Sequence, residues 1–128
     1  MNPWVRWTLC CVYTGLVTVL SLLPSGALDK VSVPIPGIDK VAHFAMYAVY
    51  ALLLAWTARA PGHRGRWILI ILYCTTYGLL MECLQPLLNP GDRQFSIADM
   101  GANALGACTT WLAGSLKAVT CHCQSRDS

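Results

Sequence analysis

Charged side chains are scarce in this chain, and their scarcity limits the kinds of protein it can be. Lysine and arginine number 9 and aspartate and glutamate 6 among 128 residues, so 12% of the chain is charged while 55% is hydrophobic. An average soluble domain is about 25% charged, and the mean hydropathy here is +0.50. This composition argues against a soluble domain and against a nucleic-acid partner, which needs a dense basic surface. A membrane protein fits the composition.

Recognised catalytic signatures are missing as well. The sequence has no His-Glu-x-x-His zinc motif, no Gly-x-Ser-x-Gly nucleophile motif and no phosphate-binding loop. Cys121-His122-Cys123 near the end offers a Cys/His pair, but no second pair of ligands accompanies it. We therefore predict no cofactor.

Long apolar runs are what the sequence has in abundance. Four runs of 17 to 24 residues carry no charge or a single acid: Trp7–Leu23, Val41–Ala58, Trp67–Pro90 and Met100–Leu116. About 20 apolar residues cross a hydrocarbon core as a helix. The predicted fold class is all-α, a polytopic membrane protein with one four-helix transmembrane domain over residues 1–128. The predicted helices cover about 5–23, 40–58, 66–86 and 97–117, followed by a cytoplasmic tail at 118–128.

Positive charge predicts the orientation, because short cytoplasmic loops are enriched in lysine and arginine. One side of the predicted bundle has six such residues: Arg6, Arg59, Arg64, Arg66, Lys117 and Arg126. The other side has three: Lys30, Lys40 and Arg93. Both termini are therefore predicted to be cytoplasmic. An alternative is a signal peptide, cleaved after Ser25-Gly26-Ala27 so that residues 1–27 are removed.

Polar residues gather at the outer ends of the second, third and fourth predicted helices. They are Asp39, Lys40, His43 and Tyr47 on the second helix, Glu82 and Gln85 on the third, and Asp99 and Asn103 on the fourth. Spacings of three and four residues place the polar groups of each helix on one face. Lipid cannot hydrogen-bond them, so each face must point into the bundle or into a wet cavity. The sequence predicts a polar pocket there.

Several of these residues also have a purely structural interpretation. Ser96 and Asp99 have the spacing of a capping box, in which each side chain accepts a hydrogen bond from the backbone amide of the other. Asp39 suits a helix N-cap, and Asn103 suits an interhelical hydrogen bond. The sequence is compatible with these structural roles and with a place in the pocket.

Glu82 fits no cap, because an acid near a helix C-terminus opposes the dipole and is costly inside an apolar helix. It either lines the pocket or forms a buried pair with His43, Lys40 or Arg93. Arg93 at the outer mouth suits a phosphate or carboxylate, since its guanidinium offers two parallel donors. No metal is predicted; Asp39, His43 and Glu82 are the weak candidates for a metal or acid–base site.

Four ordered motifs carry a resemblance over about residues 10–115. They are Ser21–Pro24, "DKVAHFAMY" at 39–47, "MECLQ" at 81–85 and "GDRQFSIADMGANALGA" at 91–107. In this order and spacing the chain resembles the VanZ-like family of small bacterial membrane proteins. The resemblance implies a location in the bacterial cytoplasmic membrane and a weak link to teicoplanin tolerance. The positions that match are Asp39, Lys40, His43, Tyr47, Glu82, Gln85, Arg93, Ser96, Asp99 and Asn103.

Three classes of function are compatible with these observations. The favoured one is binding of an anionic lipid or a lipid-linked cell-envelope precursor in the outward-facing pocket. The alternatives are an intramembrane hydrolase or transferase acting on a lipid-linked substrate, and a non-catalytic assembly protein. The predicted partners are membrane lipids, the precursor and a second copy of the chain.

Overall fold

The computed structural model describes residues 2–24, 37–59, 64–92 and 94–124, the last range with side chains up to residue 114. These residues form four helices and no strand: α1 (Pro3–Leu22), α2 (Ile38–Thr57), α3 (Arg64–Leu88) and α4 (Ile97–Gln124). The first three are long and apolar enough to cross a membrane, with hydropathies of 1.5, 1.4 and 1.7. The prediction of an all-α fold with helices able to cross a membrane is confirmed for the described residues; a fourth membrane-spanning helix stays a prediction.

The ends of the helices follow local signals. Pro3 occupies the first turn of α1, where its missing N–H is not needed, and the Asn2 side chain accepts from the Trp4 amide at 3.2 Å. α3 passes through Pro86 and ends two residues later. α4 continues to Gln124, beyond the predicted end at 117, because residues 118–124 contain neither glycine nor proline. The first part of the predicted tail is therefore helical.

α2 and α4 run in the same direction. Lys40 Nζ near the start of α2 lies 3.8 Å from Asp99 Oδ1 near the start of α4. Two turns further along α2, the Thr110 hydroxyl of α4 donates to the Ala48 carbonyl at 3.2 Å. Both helices therefore begin at the same end of the bundle.

α1 and α3 run the opposite way. The Arg6 guanidinium of α1 donates to the carbonyl of Trp56 at the end of α2, at 3.3 Å. At the other end of α1, the Asn89 side chain after α3 donates to the Leu22 carbonyl at 3.0 Å and satisfies an orphan helix terminus. The ends of α1 and α3 consequently lie beside the beginnings of α2 and α4.

Small residues allow α4 to approach its neighbours closely. A Cβ on Gly106 would overlap the Phe44 carbonyl oxygen of α2 and lie 3.0 Å from the Ala48 amide nitrogen. A Cβ on Gly78 of α3 would lie 2.8 Å from the side-chain nitrogen Nδ2 of Asn103. Glycine at these two positions therefore brings three helices together at the depth of Asn103.

Candidate functional site

Three titratable side chains meet where α2, α3 and α4 come together, and we call them the triad. They are His43 of α2, Glu82 of α3 and Asp99 of α4, and one potential ligand atom from each lies within 4.8 Å of the others. His43 Nδ1 lies 3.8 Å from Glu82 Oε1. The three residues are 9%, 0% and 8% exposed. Residues far apart in sequence thus form one buried group at the end where α2 and α4 begin.

Glu82 caps the neighbouring helix. Its Oε2 accepts a hydrogen bond from the Ser96 amide at 3.2 Å, and Ser96 Oγ accepts one from the Asp99 amide at the same distance. Only the Ser96 half of the predicted capping box is formed, since the Ser96 amide donates to Glu82 and not to Asp99. The carboxylate therefore lies beside the positive end of the α4 dipole, which stabilises its charge.

Asp39 does not cap α2 and is not part of the triad. The N-cap is Gly37, whose φ of 81° is readily adopted by glycine. Asp39 falls in the first turn, where its side chain is 51% exposed and pairs with Lys40 Nζ at 2.9 Å. Of the weak metal candidates Asp39, His43 and Glu82, the last two lie in the triad, whereas Asp39 lies outside it.

Three further predicted pocket residues are buried within about one turn of the triad: Tyr47, Gln85 and Asn103. Each follows a triad residue on the same helix by three or four positions and so continues the same face. Lys40 remains half exposed at the rim, within 3.8 Å of Asp99. Arg93, predicted at the mouth, lies outside the described residues.

Five buried polar atoms of this region have no hydrogen-bond partner in the described part of the chain. They are Nδ1 of His43, Oη of Tyr47, Nε2 of Gln85, and Oδ1 of both Asp99 and Asn103. Each such atom destabilises the fold by about 1–3 kcal/mol. Native structures keep few of these groups, and their concentration makes this region the candidate functional site.

The charge of the region is negative when it is counted over the described residues. Asp39, Glu82 and Asp99 contribute three carboxylates, and Lys40 contributes one ammonium group. The formal charge of these four groups is −2. Buried carboxylates need charge pairing or hydrogen bonds.

Three cavities of the bundle lie away from the triad. The largest, about 480 Å³, is lined by residues of α1, α2 and α3 that include Trp7, Cys10 and Tyr50. The other two, about 210 and 170 Å³, are lined mostly by apolar residues such as Ala55 and Leu69. None of the three touches the triad, so an open polar pocket there remains a prediction.

A tyrosine cluster below the triad is the main feature that the sequence analysis missed. The Tyr50 ring lies 5.7–6.2 Å from the rings of the chain's four other tyrosines, which are Tyr13, Tyr47, Tyr73 and Tyr77. The Tyr50 hydroxyl also bonds to Thr14 at 2.9 Å and to Tyr73 at 3.2 Å. The spacing of Tyr73 and Tyr77 on one helical face was the available signal. This cluster forms a rigid base beneath the triad.

The comparisons with known proteins identify the family. Neither the curated proteins nor the solved structures yielded a match. The model of the VanZ/LLP1 family matches residues 5–117, which include α2, α3, most of α1 and α4, the triad and the buried polar residues next to it. Together with helices able to cross a membrane, this match establishes that the chain is a membrane protein that belongs to the VanZ/LLP1 family.

Proposed function

We propose that this protein binds the polar headgroup of an anionic lipid or of a lipid-linked cell-envelope precursor. The site lies at the ends of α2, α3 and α4 where the triad is found. The protein resides in the bacterial cytoplasmic membrane with both termini in the cytoplasm, which places the triad at the outer side. The observation that carries this proposal is that two buried hydrogen-bond donors, Tyr47 Oη and Gln85 Nε2, have no hydrogen-bond partner among the described residues.

These donors suit an anionic group. Tyr47 Oη and Gln85 Nε2 are hydrogen-bond donors, and a phosphate oxygen accepts from both. Lys40 is half exposed at the rim, where it meets charge entering from the headgroup region. Arg93, which lies outside the described residues, precedes α4 in the sequence and is predicted to offer a bidentate donor. A headgroup bound in this way replaces the missing hydrogen bonds.

The location of the site favours a lipid over a soluble ligand. The triad lies near the ends of helices that are apolar on their outer faces, as exposed residues such as Val41, Leu79 and Ile97 show. A lipid that diffuses along these faces brings its headgroup to the depth of the triad without leaving the membrane. The acyl chains remain in the bilayer, so only the headgroup requires polar contacts.

One observation favours the alternative of an intramembrane hydrolase or transferase. His43, Glu82 and Asp99 are buried within 4.8 Å of one another, which suits an acid–base or metal-assisted reaction at a headgroup. Both functions place the same headgroup at the same residues. Binding is the simpler proposal, because it requires only the buried donors described above and no chemical step.

A matched pair of tyrosine variants tests the binding proposal. Tyr47→Phe removes a buried hydroxyl that lacks a partner among the described residues, whereas Tyr50→Phe removes one bonded to Thr14 and Tyr73. Native mass spectrometry of protein released from nanodiscs measures the retained lipid, and thermal unfolding in detergent measures stability. A hydrogen bond to a charged group contributes about 1.5–3 kcal/mol, which corresponds to roughly 10- to 150-fold in affinity.

The two variants are expected to separate the two readouts. Tyr47→Phe should lose the anionic lipid while the stability of the lipid-free protein stays equal or rises, because a partnerless polar atom has been removed. Tyr50→Phe should lose about 1 kcal/mol of stability and keep the lipid. Equal lipid retention by both variants and the wild type, or annular lipids alone on all three, would refute the proposed function.

A further inference from the structure

We infer that the triad is a binding site for a divalent transition-metal ion, with His43, Glu82 and Asp99 as its protein ligands. The three side chains come from three different helices, are all buried, and offer ligand atoms within 4.8 Å of one another. Two of them also present buried atoms without a partner among the described residues, Nδ1 of His43 and Oδ1 of Asp99. Neither the capping role of Glu82 nor the proposed headgroup binding accounts for that convergence.

The ligand set indicates the class of metal. Imidazole nitrogen and carboxylate oxygen are both zinc ligands, and open zinc sites have three protein ligands; the same donors suit Mn²⁺ or Co²⁺. Calcium and magnesium favour oxygen ligands, so an imidazole argues against them. The absence of sulfur in the set argues against copper(I) and iron–sulfur chemistry. Zinc and its chemical neighbours therefore fit best.

The distances allow closure on an ion without movement of the helices. Zinc bonds of about 2.0–2.2 Å at tetrahedral angles place ligand atoms roughly 3.3–3.6 Å apart. His43 Nδ1 and Glu82 Oε1 already lie 3.8 Å apart, too far for a hydrogen bond and close to that spacing. A side-chain rotation that moves the Asp99 oxygen inward by about 1 Å completes the set.

Charge supplies an independent reason. Glu82 and Asp99 place two carboxylates in a buried region, and a divalent ion neutralises both. The Lys40 ammonium lies 3.8 Å from Asp99, but it is half exposed and already pairs with Asp39 at 2.9 Å. Lys40 therefore compensates the Asp99 carboxylate only partly. A bound metal ion satisfies the charge and the two partnerless ligand atoms together.

Three protein ligands leave at least one coordination position open, and a phosphate oxygen of a headgroup is a suitable fourth ligand. This bridging step rests on the proposed function, whereas metal binding itself does not. The test therefore measures metal and lipid separately.

The first measurement is made on the wild-type full-length protein. It is purified in detergent with a tag that contains no histidine, stripped with a chelator and titrated with Co²⁺, and its optical spectrum and metal content are recorded. We expect about one ion per chain with d–d bands of nitrogen and oxygen ligands and no thiolate-to-cobalt charge-transfer band. A chain that binds no Co²⁺ or Zn²⁺, or a spectrum with thiolate bands, would overturn the inference.

Variants then locate the ion. His43→Gln and Asp99→Asn should each weaken Zn²⁺ binding at least about tenfold, since loss of second-shell partners alone has that effect. Asp39→Asn removes a carboxylate that is outside the triad and should leave binding unchanged. The double variant Cys121→Ser/Cys123→Ser removes the only Cys-x-Cys of the sequence and should also bind normally. Binding that survives both triad variants but disappears in the cysteine variant places the metal in the tail and refutes the inference.

Lipid retention separates this inference from the proposed function. Native mass spectrometry is repeated on the wild type after chelation and after Zn²⁺ is restored. Lipid that leaves with the metal and returns with it supports the bridging step. Lipid that is indifferent to chelation refutes bridging but leaves both metal binding and the proposed function in place. Metal without any retained lipid refutes the proposed function alone.

Discussion

The close approach of α2 and α4 makes Gly106 the most demanding position in the bundle. Replacement by alanine would drive a methyl group into the Phe44 carbonyl oxygen and to 3.0 Å from the Ala48 amide nitrogen. Both are backbone atoms of α2, so no side-chain rotation relieves the overlap. The two helices must move apart at the contact on which the triad depends.

The magnitude follows from two opposing effects. Overpacking of a well-packed interface destabilises by about 1–3 kcal/mol, and a clash with backbone on both sides belongs at the upper end. Alanine in place of glycine gains about 0.8–1.0 kcal/mol of helix propensity. The expected net loss for Gly106→Ala is therefore about 1–2 kcal/mol in the free energy of unfolding.

Gly101→Ala is the matched control on the same helix. Nothing lies within 4 Å of a Cβ at Gly101, so this variant gains propensity without a clash. Unfolding followed by circular dichroism in mixed detergent micelles compares the two. The difference between them should be about 2–3 kcal/mol in favour of Gly101→Ala. If Gly106→Ala proves as stable as Gly101→Ala, α2 and α4 are not packed as described and the triad geometry loses its support.

Two further predictions test the cap and the orientation. Ser96→Ala removes the acceptor of the Asp99 amide and should lower stability by about 1 kcal/mol, measured by the same unfolding assay; no change would mean that the Glu82 contact alone caps α4. A green fluorescent protein fused after Ser128 should fluoresce and an alkaline phosphatase fused there should be inactive, because the tail is predicted to be cytoplasmic. An active phosphatase would reverse the proposed orientation and place the triad at the inner side.

The helices could be predicted from the sequence because a lipid bilayer allows few backbone structures to cross it. Apolar runs of the length of a bilayer form helices, and the three runs that became α1, α2 and α3 carry this signal strongly. Helical spacing also placed His43, Glu82 and Asp99 at one end of the bundle. These deductions need only the period of the helix and the direction of each span.

Contacts between helices could not be predicted from helix period and span direction alone. The capping-box rule is local, so it assigned the Ser96 amide to Asp99 and could not foresee an acceptor fourteen positions away on α3. Asp39 shares the helical face of His43, but it lies in a first turn that neighbouring helices leave half exposed. The face of a residue follows from its spacing, whereas its burial depends on where the other helices end.

The two oxygens of Glu82 serve two purposes, and this arrangement ties the site to the connecting loop. Oε2 holds the Ser96 amide at 3.2 Å, while Oε1 faces His43 at 3.8 Å. An ion that draws Oε1 toward itself would rotate the carboxyl group and so change the hydrogen bond between Oε2 and the Ser96 amide. If the triad binds an ion as proposed, a spectroscopic label beside Ser96 should therefore report binding from outside the bundle.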